Sequence, residues 1–264
     1  MNALRSFYGR QPVLTVYGLL LLVAAAVTYV MQIIDPRLLD GVDVWIKPTK
    51  FNISVAVFAL TAAWFFGYVR PERRNRFWLR YVVWVIVIAG TFENGWITWQ
   101  AAHAAASHFN YSTLLTGVMY ALMGLGAVLL VTTALPLAWE IARRPIEGMR
   151  SDYRFAVVAG LVLTFVLGGG MGIYMSAQTG HSVGAAVGHF PIFGWNRSGG
   201  DLRVAHFFGM HFEQALPLLA AVLAPLPARL RWMVLAVATA SGIALTFYVW
   251  HQAVAGQPFL PGIG

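Results

Sequence analysis

The sequence predicts an all-α integral membrane protein, seven transmembrane helices in one bundle with the N-terminus cytoplasmic and the C-terminus extracytoplasmic. Three observations predict it. Residues are 59% hydrophobic and only 11% charged, with a mean hydropathy of +0.67, whereas a soluble domain carries roughly a quarter charged residues. The apolar stretches are continuous rather than alternating, and several reach the ~20 residues a helix needs to cross hydrocarbon. Lys and Arg are distributed unequally between alternate loops, as topology rules require.

The first helix is expected at about 13–34, an uncharged run behind Arg5 and Arg10 that is too long for a cleaved leader. The second, about 51–69, ends where Arg70-Pro71 begins a basic loop, and the third, about 78–100, starts after Arg76. The fourth, about 114–139, follows Asn110 and Ser112, either of which suits an N-cap, and stops before Arg143 and Arg144. The fifth, about 155–175, begins after Arg150 and Arg154 and closes on Gly168, Gly169, Gly170 and Gly172. Small residues there permit close helix packing or the close approach of a flat cofactor. The sixth, about 202–224, contains Pro217, a candidate kink, and ends before Pro225. The seventh, about 230–255, begins beside Arg229 and Arg231. No internal repeat or domain boundary is visible, so one compact bundle is expected.

The loops holding Arg70 to Arg80, Arg143 to Arg154, and Arg229 with Arg231 are assigned to the cytoplasm, which fits a bacterial inner membrane. The opposite loops hold only Arg37, Lys47, Lys50, Arg197 and Arg203. The net charge of +8 is spread in these short clusters, with no continuous basic face for nucleic acid. The partner expected on every side is the lipid bilayer. The chain has no cysteine, which removes thiolate metal sites and disulfide chemistry. The segment 176–201, rich in Gly and carrying Pro191 and Trp195, is long enough to be a lid.

Functional candidates follow from cost. An ionised side chain in hydrocarbon is expensive, so intramembrane acids are candidates for function. Glu93 falls about 12 Å below the outer end of the third helix, and Glu213 near mid-depth in the sixth. These are the expected catalytic or proton-carrying groups; hydrogen-bonded glue between helices is the equal alternative. All seven histidines fall in or near the loops assigned to the outer face. His206, His211, His108 and His251 are the expected cofactor ligands, and His206, His211 and Glu93 the expected metal ligands. On an ideal helix His206 and His211 stand ~140° apart, so one small ion would need a distortion, which Gly209 could permit. His103, His181 and His189 read as ordinary loop residues. Lys47 and Lys50, flanking Pro48, suit an anionic headgroup or substrate, or a pair snorkelling to the interface.

Some chemistries are excluded. Lys47 and Lys50 are the only lysines, so the last helix has none for a retinal Schiff base. His206 and His211 lack the four-residue spacing of ceramidase-type zinc hydrolases, and no phosphate loop, zincin motif or nucleophile elbow occurs. In layout alone, the small-residue stretch Gly172 to Gly180, then Pro191-Ile192-Phe193-Gly194-Trp195, then a helix opening on His206 resembles the haem A synthase type of membrane haem protein. The chain lacks that family's His-Arg pairs, eighth helix and duplicated halves, and no residue role is carried over. The resemblance favours haem b or a transition metal in a redox protein, with a quinone or membrane-complex partner. A metal-dependent enzyme acting on a lipid, and a transporter or accessory subunit, are the alternatives.

Overall fold

The computed structural model describes residues 3–190 and 193–260; Pro191 and Ile192, part of the expected lid, lie outside the described residues. The chain is mostly helical, and among the described residues there are six helical stretches long and apolar enough to cross a membrane. It falls into two compact units, Met1–Leu137 and Ala138–Gly264.

The first unit opens with α1 (Ala3–Arg10) and α2 (Pro12–Ile34). A two-residue ribbon, β1 (Leu38–Leu39) and β2 (Val42–Asp43), leads into α3 (Ile46–Phe66). A short 3₁₀ turn at Pro71–Arg73 precedes α4 (Phe77–Ala102), and α5 (Leu114–Thr132) closes the unit. Successive helices pack on one another, α2 on α3, α3 on α4 and α4 on α5. Gly18 lets Leu60 rest against α2: a Cβ there would lie 2.7 Å from Leu60 Cγ. Polar glue crosses the same pair, as Gln32 Nε2 donates to Thr49 Oγ1 at 2.7 Å and Thr49 Oγ1 donates to Thr28 Oγ1 at 3.0 Å. At the opposite end Arg10 donates to Trp64 O at 2.8 Å and its guanidinium sits 3.5 Å from the Trp64 ring centroid. Asp35 gathers the ribbon. It accepts from Arg37 at 2.7 Å and from Trp45 Nε1 at 2.7 Å, while Arg37 reaches Ala102 O at 3.0 Å. Those donors, Arg37 first, hold its carboxyl well below the usual carboxylate range.

Two expected boundaries move. α3 begins five residues earlier than periodicity suggests, at Ile46, and takes in Pro48. Proline costs nothing in a first turn, where the N–H has no helical partner. Lys47 and Lys50 therefore ride on a helix instead of a loop. The N-cap of α5 is Thr113, in a reciprocal capping box with Thr116. Asn110 instead makes a local turn, accepting from Ser112 N–H at 3.1 Å.

The boundary between the units falls within α6 (Ala134–Arg143). The second unit continues with α7 (Ser151–Leu163), a π-helical segment Thr164–Gly169, and α8 (Gly170–Ser176). Strands β3 (Ser182–Val183) and β4 (Gly200–Asp201) pair antiparallel and deliver the chain to α9 (Leu202–Met210). Then come α10 (Phe212–Val222) and α11 (Ala228–Val254). The core gathers Ala156, Leu167, Phe212, Leu216, Ala220 and Leu235. At one end Asp152 accepts from Arg150 at 2.9 Å and from Arg231 at 3.0 Å, and Arg150 also reaches Ala220 O at 2.8 Å, so one acid ties α7, α10 and α11 together.

The expected single helix over 202–224 is two helices, broken at His211 (φ −93°, ψ 4°). Pro217 lies inside α10, six residues past the break, and does not end it. The reason lies in the neighbouring strand of chain. Thr164 Oγ1 donates to Met210 O at 3.3 Å and accepts Glu213 N–H at 3.1 Å. A side chain thus satisfies backbone groups that the interrupted helix leaves open. Thr164 also begins the π segment, and such segments occur mostly at functional positions.

The lid is ordered by its polar residues. Asp201 caps α9 through Arg203 N–H at 3.0 Å, pairs with the Arg203 guanidinium at 2.6 Å and accepts Asn196 N–H at 2.8 Å. Phe193 stacks on Trp195 at 4.5 Å, and Trp195 packs edge-on against Phe207 and Phe259. The segment expected as a lid is packed at its C-terminal part, where Trp195, Asn196 and Asp201 are buried, while Gly184 to His189 are exposed.

Candidate functional site

Two polar clusters lie within the helical units. In the first unit, His108 stands in the turn between α4 and α5, fixed by its surroundings. Lys47 Nζ lies 3.0 Å from His108 Nδ1 and Ser107 Oγ 3.1 Å from the same atom. The ring is flanked by Phe51 and Tyr120, with centroids at 5.7 and 6.0 Å. An ammonium only donates, so Nδ1 accepts and the proton sits on Nε2. Burial first, and then the Lys47 charge, push the His108 pKa well below 6.5. His108 is therefore neutral when folded at neutral pH, and the Lys47 ammonium is held by it.

That geometry fixes a pH dependence. The unfolded imidazole binds a proton below about pH 6.5 while the folded one does not, so the unfolded state holds more protons in that window. The stability His108 confers is complete above about pH 6.5 and declines as the pH falls. Thermal unfolding of the protein between about pH 7.5 and 5 should show this slope, and His108→Gln should flatten it. An unchanged slope in the variant would show that His108 is not the group responsible.

Glu93 lies on α4, 4% exposed. Its Oε1 has no hydrogen-bond partner among the described residues. Lys47 acts on it through space. The side chain points at α5, where a Cβ on Gly126 would come within 3.2 Å of Oε1. Asn94 donates back to Gly90 O at 3.0 Å, and Gln100 to Ala106 O at 2.9 Å, so both serve the helix and the turn that follows it. His103 is exposed, its Nδ1 2.8 Å from Trp99 O.

In the second unit, His206 on α9 places Nδ1 2.8 Å from Gly168 O. A carbonyl only accepts, so Nδ1 carries the proton and the Nε2 lone pair is left over. The glycines of this crossing admit protein: a Cβ on Gly172 would lie 3.0 Å from His206 Cε1, and one on Gly168 2.7 Å from Met210 Sδ. At these two glycines the space is taken by helix packing. At the break, His211 Nδ1 lies 3.2 Å from Gln214 Oε1, and Gln214 Nε2 donates to Glu213 Oε1 at 2.8 Å. Glu213 is 2% exposed and rests over Gly160, where a Cβ would come within 3.0 Å of its Cα. The three side chains form one hydrogen-bonded chain at the first turn of α10, whose N-terminus has no side-chain cap. Phe207 closes over the His211 ring at 4.2 Å.

The structure thus joins Lys47 with His108, and His211 with Glu213. His251 is exposed on α11, and Lys50 lies one turn beyond Lys47 on α3. His181 has Nδ1 3.8 Å from Asp201, and His189 forms a β-bridge with Asn196. Among the described residues, no group of three or more His, Cys, Asp or Glu is placed to hold a metal ion. Thr164 and Gln214 were not foreseen as site residues. A helix-lining threonine carries no signal of its own. Compared with known protein families, curated proteins and solved structures, the chain matches none.

Proposed function

We propose that the chain crosses a bacterial inner membrane seven times, N-terminus inside and C-terminus outside, with the broken pair α9 and α10 as the sixth crossing. Leu202 to Val222 rises about 31 Å at 1.5 Å per residue, enough for the ~30 Å hydrocarbon core. Irregular backbone at that depth is tolerated where protein or a cavity surrounds it, and broken helices are where transporters and pumps build their sites.

The function that fits best is proton handling inside the membrane, in redox or transport coupling. The observation that carries it is the chain His211–Gln214–Glu213 at the break. A buried carboxyl hydrogen-bonded through an amide to a titratable imidazole has its charge state coupled to that of the ring, so protonation of one group is felt by the other. Thr164 anchors the backbone of Glu213 and so holds the carboxyl to the break.

Infrared difference spectroscopy on the full chain in nanodiscs tests this. The carboxylic acid band of Glu213, identified by its loss in Glu213→Gln, should titrate, and Gln214→Leu should shift its midpoint by cutting the chain. A band whose midpoint is the same in Gln214→Leu, or the absence of any titrating band lost with Glu213, would defeat the proposal.

A second reading has its own support. His206 and His211 are both tethered through Nδ1, the way metal-bound imidazoles are commonly oriented, with Nε2 outward. A haem or transition metal on either ring would supply electron transfer. The donor set does not fit a zinc site of three or four protein ligands, which weakens the reading as a lipid hydrolase. An optical spectrum and metal analysis of the purified protein, repeated with His206→Ala and His211→Ala, decide it: a colourless, metal-free preparation removes this reading.

A further inference from the structure

The first unit carries a second feature that the proton chain does not use. An open apolar groove of about 540 Å³ runs between α4 and α5. Arg80 and Tyr81 line one end, Trp84 the middle, and Ala89, Phe92 and Gly126 the other. Along α4 it extends about 22 Å from Phe77 to Phe92 at 1.5 Å per residue. Behind Gly126 lies the Glu93 carboxyl. The wall separating its Oε1 from the groove is a residue with no side chain, and that oxygen is buried without a hydrogen-bond partner among the described residues.

A buried polar atom left unsatisfied is costly, and an O–H donor entering from the groove would satisfy it. Two features select the donor. Glu93 lies nine residues from the end of α4, about 13 Å in, a depth no phosphate headgroup reaches without a large desolvation cost. Ala89 and Gly126, the two smallest residues lining the groove, stand beside the carboxyl, so a flat head comes nearer to it than a branched one. We propose that the α4–α5 groove binds a lipid-soluble quinol, one phenolic hydroxyl donating to Glu93 Oε1 beside Gly126, where no side chain stands between them, and the isoprenoid tail lying along the groove toward Tyr81.

The probe is decylubiquinol, added to the full chain in phosphatidylcholine nanodiscs and followed by tryptophan fluorescence. Saturable quenching is expected, most of it lost in Trp84→Phe. Glu93→Leu should weaken binding about tenfold, the worth of one buried hydrogen bond. Glu93→Gln, whose amide oxygen still accepts, should stay within about threefold of wild type. Gly126→Leu, which puts a side chain beside the carboxyl, should abolish binding with the fold intact by thermal unfolding; if it does not fold, the Leu and Gln variants at Glu93 decide alone. Absence of saturable binding overturns the proposal, as does equal affinity in Glu93→Leu. Displacement of the quinol by palmitate in a manner lost with Arg80→Ala also overturns it, since the groove would then be an anionic-lipid site held from its basic end.

Discussion

Replacing Asp201 by Ala should destabilise the second unit by about 2–4 kcal/mol, the cost of a lost helix cap and of a buried N–H left without its acceptor. Asp201 is 2% exposed and has three separate tasks. It caps α9 through Arg203 N–H, neutralises the Arg203 guanidinium, and accepts the buried N–H of Asn196. Alanine leaves the Arg203 and Asn196 N–H groups without their acceptor and the Arg203 guanidinium with Gly194 O. Asp201→Asn keeps an acceptor oxygen but loses the charge, and should cost roughly half as much. Denaturant unfolding in detergent gives the magnitude, and limited proteolysis between residues 184 and 199 should report loosening of the lid first. Cleavage and stability identical to wild type would show that the lid is held by its aromatic packing alone.

The same carboxyl sets an acid limit. Burial raises the Asp201 pKa, but the hydrogen bond and charge of Arg203 and the Asn196 N–H outweigh it, and the group titrates below 3.8. The unfolded chain then binds more protons than the folded one in acid. The stability from Asp201 is fully present above about pH 3.8 and lost as the pH falls through the folded value. In Asp201→Asn that acid slope should be missing.

Gly209→Val should be comparably damaging, by a different route. A Cβ on Gly209 would lie 2.6 Å from Gly168 N and 2.8 Å from Gly168 Cα, so the two backbones touch with no side chain between them. No rotamer relieves such a contact; α9 must move away from the π segment. Overpacking typically costs about 1–3 kcal/mol, and here the shift also pulls His206 from Gly168 O and disturbs the Thr164 bonds that span the break. Thermal unfolding should show the loss, and the infrared band of Glu213 should change with it. A variant of native stability would mean that the crossing is looser than its backbone contact implies.

Much of the fold was legible in the sequence because membrane residence is a property of composition along the chain. Six long apolar stretches correspond to predicted spans, and α4 and α5 begin within a residue of expectation. The candidate sites were legible only in part. Cost alone marks Glu93 and Glu213, since a carboxyl in hydrocarbon stands out in any sequence. It does not tell that Glu93 faces Gly126 while Glu213 is chained to Gln214 and His211. His206 and His211 were expected to be phased ~140° apart on one straight helix. That phase holds within α9, since His211 N–H still bonds Phe207 O at 3.2 Å; what the sequence did not show is that the helix restarts after His211. The sequence offers Pro217 as a kink and Gly209 as a point of distortion, and the break lies at His211, where Thr164 satisfies the freed backbone.

The sequence by itself determined that the chain is helical and apolar enough for a bilayer, and which few polar groups would be costly there. Both are sums over residues, and need no knowledge of neighbours. Only the tertiary structure decided where helices interrupt, which glycines are spent on backbone contact, and which imidazole nitrogen carries the proton. Those depend on partners dozens of residues away: Gly168 for His206, Thr164 for Glu213 and Lys47 for His108. A hydrogen bond is a matter of ångströms and angles between two groups, and separation along the chain encodes neither.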